Sequence, residues 1–274
     1  MKKIKKGDIV ARKSYGKDIL FTVINIIKTH NGDVAILRGL IERVEADSYI
    51  EDLEKINSEQ IKKDLEKLQN KLNSRVKDNR NYEIKRIYDT GKILHLDGDK
   101  KYSEKSYSYY KKLGLKAVVK NIAEYKQPKV IYNLLKIYNP DILVITGHDG
   151  MIKKGKGYND IYNYRNSRYF IETVKKAKEY ERDTNKKIVI FAGACQSYFE
   201  ALIAAGANFA SSPARILIDF LDPLIVAEKV ATTDKYKYIT VNDFVKELRD
   251  GRKGVDGIGS NGTMNIVQQY VTKM

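Results

Sequence analysis

Asp141–Gly150 reads DILVITGHDG and Lys187–Ser197 reads KIVIFAGACQS. In each, a run of branched apolar residues stops at a glycine, and within two positions comes either His148 or Cys195, the single cysteine of the chain. Short apolar runs bounded by turn residues read as buried strands, so these two stretches are strands whose ends carry chemistry.

Working outward, the same punctuation recurs. Lys92–Leu96 (KILHL) is a strand stopped by Asp97-Gly98-Asp99, and Ser103–Leu113 is helical. Lys116–Asn121 is the next strand, and Pro128 opens a helix that runs to about Tyr138. After the Asp141–Thr146 strand, a helix spans about Ser167–Arg182, then comes the Lys187–Ala192 strand and a helix over Gln196–Ala205. Strands alternating with helices build a mostly parallel sheet with helices on both faces. Residues 82–274 are therefore expected to form one α/β domain. Ahead of it, residues 1–50 read as short strands, with a hairpin at Asn31-Gly32-Asp33, and suggest a small SH3-like β-barrel. Residues 51–81 read as an amphipathic helix through Leu53, Ile61, Leu65, Leu68, Leu72 and Val76, followed by a polar linker.

Composition narrows the function. The chain has 274 residues, 51 Lys and Arg against 35 Asp and Glu, and a formal charge of +16. The excess is spread along the chain without an aromatic-interleaved basic stripe, so a nucleic-acid partner is not expected. No apolar run reaches the length of a membrane span. The opening MKKIKKGDIVARKS has no apolar stretch of a secretory signal, which predicts cytoplasmic synthesis. One cysteine forbids an internal disulfide, and three histidines (His30, His95, His148) leave little to ligate a metal, so no metal and no cofactor is expected. Neither a Walker A nor a G-x-G-x-x-G sequence follows any strand. Oligomeric state leaves no signal.

Functional groups in open α/β sheets gather beyond the carboxyl ends of the strands. Parallel strands bring the ends bearing His148 and Cys195 to one side. A lone buried cysteine is ordinarily a small core group, and a lone histidine ordinarily structural; the pair at matching strand ends points to nucleophilic catalysis. A helix starting directly after Cys195 would favour its thiolate, with His148 as the base. The Cys195 amide, with that of Asp149 or Gly150, would form an oxyanion hole. Papain-like peptidases and class I glutamine amidotransferases place their histidine after the cysteine; here no histidine follows His148. Histidine about fifty residues before an Ala-Cys is the caspase order.

At these residues the sequence resembles the clan of caspases, clostripain, gingipains and legumain. More closely, GDIVARKSYGKD (Gly7–Asp18), ADS (Ala46–Ser48), KILHLDGD (Lys92–Asp99), VITGHDG (Val144–Gly150) and AGACQSYFEALIAAGANFASSP (Ala192–Pro213) resemble the YabG family of sporulation-specific cysteine peptidases over nearly the whole chain. The resemblance implies a caspase-like three-layer α/β/α domain. It also implies an endopeptidase made in the sporulating mother cell that processes spore coat or cortex proteins after Arg or Lys. Cys195 would be its nucleophile and His148 its base. By analogy with the clan, Asp97 or Asp99 would line the pocket for the basic side chain, Asp97 being favoured, while Gly193, Ser211 and Ser212 would lie along the substrate. The clan has His directly before Gly; here Asp149 intervenes, so the second oxyanion donor stays open between Asp149 and Gly150. The basic linker Arg75–Arg80 would be a self-cleavage site. The alternative reading is a nonenzymatic basic scaffold that binds the coat or nucleic acid.

Overall fold

The computed structural model describes residues 4–57, 88–152 and 157–266, together with part of 59–74. Two sheets organise it.

The first is antiparallel and holds β1 (Ile9–Arg12), β2 (Phe21–Thr29), β3 (Gly32–Gly39), β4 (Glu45–Tyr49) and β5 (Leu53–Lys55), in the order β4-β3-β2-β1-β5. The expected hairpin is there: Thr29 faces Gly32 across His30 and Asn31, and Gly32 adopts φ +120°, which a side chain would resist. Alternate residues Phe21 and Val23, with Ala35 and Leu37 opposite, fill one face together with Val10, Ile19 and Val44. The sheet is antiparallel throughout, with β4 and β5 at the ends of its strand order. Leu53, expected to open the helix, belongs instead to β5, where it faces Arg12. Its apolar side chain completes the sheet's core, and this outweighs the helical spacing. Described positions between 59 and 74 are helical; Leu68, Leu72, Val76 and the linker Arg75–Arg80 lie outside the described residues.

The second sheet is the α/β core. Its strands are β7 (Ile93–Asp97), β8 (Ala117–Asn121), β9 (Ile142–Thr146), β10 (Val189–Ala192), β11 (Phe209–Ser211) and β13 (Val255–Gly257), in the order β13-β11-β10-β9-β7-β8. All pair in parallel except the edge strand β13. Two small ribbons, β6 (Tyr88–Asp89) with β15 (Asn265–Ile266) and β12 (Tyr238–Ile239) with β14 (Ser260–Asn261), flank it.

Alternation along the strands explains the layers. Ile93, Ile142, Val144 and Phe191 point to one face and meet Tyr102, Tyr109 and Tyr110 of α1 (Lys100–Lys112) and the apolar side of the helix Asp222–Thr232. Leu94, Leu96, Leu143, Ile145 and Ile190 point to the other and meet α2 (Gln127–Tyr138), α3 (Ser167–Thr184) and α4 (Phe199–Ala204). The helix Asp222–Thr232 is α5. The chain enters at β7, steps out to β8, then returns past β7 to β9. This reversal puts the topological switch point between β7 and β9, where a crevice opens beyond the carboxyl ends.

Candidate active site

The predicted residues stand at the carboxyl ends of three neighbouring strands, β7, β9 and β10. Ala192 pairs with Ile145 across β10 and β9, so Cys195 and His148 each lie three residues past a matched pair on neighbouring strands. Asp97 ends β7, opposite Thr146 of β9. All three side chains are buried.

A buried carboxylate shapes this floor, and sequence reading missed it. Glu124 Oε1 accepts the His148 amide at 2.8 Å. A Cβ on Gly98 would stand 2.0 Å, and on Gly147 2.4 Å, from the same oxygen. Glycine at both strand ends is what admits the carboxylate. Desolvation raises its pKa to about 7, against the pull of the His148 amide. On the other side Asn166 Nδ2 donates to the His148 carbonyl at 2.8 Å. The backbone of His148 is thus clamped twice, whereas neither ring nitrogen has a hydrogen-bond partner among the described residues. The ring meets Tyr102 edge-on, with centroids 5.8 Å apart. Burial first, then the Arg38 and Arg43 charges, hold the imidazole pKa well below its ordinary value, with the Gly39 carbonyl acting weakly the other way.

Asp149 ties three elements together. Its Oδ1 accepts the Asn166 amide at 2.8 Å and the Gly150 amide at 2.9 Å, while Oδ2 accepts the Ser197 hydroxyl at 2.8 Å and that of Ser167. Burial lifts its pKa to about 6 in spite of these donors. The Gly150 amide is thus already engaged by Asp149 Oδ1. The Asp149 amide instead meets the Arg43 carbonyl at 3.3 Å.

Around Cys195 the structure corrects the sequence reading. The helix does not begin at Gln196. A turn intervenes, with Gln196 at φ +56° and the Ser197 hydroxyl accepting the Ala194 amide at 2.9 Å, and α4 starts only at Phe199. The helix dipole therefore does not act on the thiol. The Ile218 amide meets Cys195 Sγ at 3.4 Å, and burial pushes the thiol pKa up to about 12. The side chain is fully buried and shares one apolar cluster with Val44 and other residues of the antiparallel sheet's core.

The remaining predicted residues take different places. Asp99 is the N-cap of α1: its Oδ1 accepts the amides of Lys101 at 2.8 Å and Tyr102 at 3.3 Å. Gly193 adopts φ +113°, and a Cβ there would meet the Ser211 hydroxyl at 2.4 Å. Ser211 donates to the Ala194 carbonyl at 2.9 Å, and Ser212 donates to the Ile216 carbonyl at 2.7 Å and accepts the Gln196 amide at 3.1 Å. Gly193, Ser211 and Ser212 brace the cysteine loop from behind, with both hydroxyls already bonded. His95 is a core residue, as expected, between Tyr110 at 3.1 Å and Thr146 at 2.7 Å.

Asp97 has company that the sequence did not announce. Arg43, from the loop between β3 and β4, is fully buried, with Nη2 2.9 Å from Asp97 Oδ2. The angle leaves this a charge contact, and the guanidinium N–H groups make no directed hydrogen bond. The group lies 5.1 Å from the Tyr102 ring centre and 5.3 Å from that of Phe220. Thr146 donates to Asp97 Oδ2 at 2.8 Å and the Asp99 amide to Oδ1 at 2.8 Å. Burial raises the Asp97 pKa against the opposing pull of Arg43. Beside this lies an open groove of about 370 Å³ lined in part by Val44, Glu45, Met151, Arg165 and Gln196. Among the described residues no three His, Cys, Asp or Glu side chains gather as a metal-binding group, and no helix is long and apolar enough to cross a membrane.

The family described as YabG peptidase U57 matches residues 5–268. The chain is 39% identical to the sporulation-specific protease YabG of Bacillus subtilis (strain 168), over 96% of its own length and 97% of that protein's. No solved structure matches.

Proposed function

Since the chain belongs to the YabG peptidase U57 family, we propose that it is a cysteine endopeptidase of sporulating cells that cuts spore coat or related spore proteins after arginine or lysine. Its fold would then be of the caspase kind, residues 82–274 forming the catalytic domain and the N-terminal strands a separate module. The observation that carries the chemistry is the matched placement of His148 and Cys195, three residues past paired positions on adjacent parallel strands.

In this reading His148 takes the Cys195 proton as sulfur attacks the scissile carbonyl carbon. The oxyanion is met by the amides of Cys195 and Asp149; the engagement of the Gly150 amide by Asp149 Oδ1 favours Asp149. The imidazolium gives its proton to the leaving amine as the C–N bond breaks. Water, with His148 again as base, hydrolyses the thioester and frees the thiol. The pair works as a dyad, because the Glu124 carboxylate engages the His148 backbone and no carboxylate bonds its ring among the described residues. Asp97 supports selection of a basic residue at the cleavage point, and arginine above lysine, because a carboxylate can take two parallel N–H bonds from a guanidinium.

N-terminal sequencing of fragments from an arginine-rich protein tests both halves. New termini following arginine are expected with the wild type and none with Cys195→Ala. Undiminished cleavage by Cys195→Ala would end the proposal, while cleavage after other residues would end the Asp97 assignment alone.

A further inference from the structure

The tip of a hairpin ordinarily faces water. In the tip Leu40–Val44, the first three residues are half-buried, Val44 is buried and Arg43 has no exposed surface at all. Its neighbours are held in turn. Tyr102 donates its hydroxyl to the Ile41 carbonyl, and the Leu40 carbonyl lies 3.3 Å from the same oxygen. Val44 bridges to Asp149 in parallel, and the Glu45 amide donates to the Asp149 carbonyl at 3.0 Å. The segment therefore runs beside the His148 strand end as an added strand, the way peptidases hold extended peptides. Its arginine side chain reaches Asp97 between Tyr102 and Phe220, and its arginine carbonyl sits on the Asp149 amide. On the cleft assigned above, those are the positions of the side chain and carbonyl of the residue to be cut.

We infer that Leu40–Glu45 is a tethered, substrate-like occupant of the cleft, with Arg43 in the specificity pocket, and that it keeps the peptidase closed until it is withdrawn. This rests on the peptidase reading of the same cleft. Two further features agree with it. Val44 of the segment belongs to the same buried apolar cluster as Cys195, whose side chain has no exposed surface in this closed arrangement. The Arg43 guanidinium also lacks directed hydrogen bonds, so an incoming arginine that makes the two-pronged bond to Asp97 has something to gain by displacing it. The protein would answer to substrates that present arginine in an extended strand long enough to replace the hairpin tip.

The test uses the full chain and a peptide ending in an arginyl reactive ketone, which alkylates the thiol, beside a norleucyl analogue. Arg43→Ala is expected to label at Cys195 at least about tenfold faster than wild type with the arginyl reagent, and to show no such preference for the norleucyl one. Thermal melting in the presence of N-acetyl-L-argininamide is the second measurement. It should raise the midpoint of Arg43→Ala, whose pocket is vacated, and leave wild type unmoved. Equal arginyl labelling of wild type and Arg43→Ala, or no melting shift in the variant, would overturn the occupancy while leaving the peptidase reading intact. Arginyl cleavage that survives Cys195→Ala would instead remove the peptidase reading, and the inference with it.

Discussion

The two hairpin ends of the antiparallel sheet come from one module and have opposite fates. The turn at His30 and Asn31 is short, polar and exposed, closed by a glycine and by the Thr29 hydroxyl donating to the Gly32 carbonyl at 2.6 Å. The loop Leu40–Val44 holds three apolar residues, Glu42 and Arg43, and its arginine is buried against the other sheet. One end only reverses the chain; the other docks. A buried guanidinium is costly to desolvate, so its position at a loop tip argues that the cleft, rather than the hairpin, determines where Arg43 lies.

The largest test of this contrast removes the partner. Asp97→Leu leaves the Arg43 charge buried without a counterion and is expected to cost about 3–5 kcal/mol in urea unfolding, or to lift the loop out of the cleft. Adding Arg43→Met should restore most of the loss. No recovery in the double variant would mean the two residues are not energetically coupled. Gly147→Ala comes next, because its Cβ would stand 2.4 Å from the Glu124 carboxylate; a loss of about 1–3 kcal/mol is expected from overpacking. A smaller effect is a pH dependence. Glu124 and Asp149 have folded pKa values raised to about 7 and about 6. The folded state therefore binds protons more tightly than the unfolded chain, and these two groups favour folding most below about pH 4.5, their contribution falling as pH rises towards 7. Glu124→Gln should flatten the fall in melting midpoint between pH 5 and 7.5 relative to wild type; an unchanged slope would show that Glu124 does not titrate in that range. Smallest of all, His30→Ala at the exposed turn should stay within about 0.5 kcal/mol, and any larger loss would erase the distinction between the two ends.

How much could be read from the residues depended on range. The strands around His148 and Cys195 were legible because apolar runs ending in glycine are local signals, and the parallel order followed from their alternation with helices. The helix placed directly after Cys195 failed because Gln196 takes a left-handed turn, held from outside by Ser212 and Ser197. Leu53 read as helical because its spacing fitted, yet β1 offered it an edge to pair with. Arg43 was invisible for a different reason. Its loop reads locally as an ordinary turn in GLIERVEADS, and its counterion Asp97 lies 54 residues further along the chain. Glu124 was hidden in the same way, since only the three-dimensional meeting of Gly98 and Gly147 makes a space that it fits.

That meeting has a mechanical consequence. A carboxylate wedged between two glycines, one from each of the central strands, acts as a rivet through the bottom of the crevice and stops the strand ends sliding past each other. Compliance must then come from above. If the cleft opens, it opens as a lid lifts from a fixed bench, and the hinge belongs to the strands that carry Arg43.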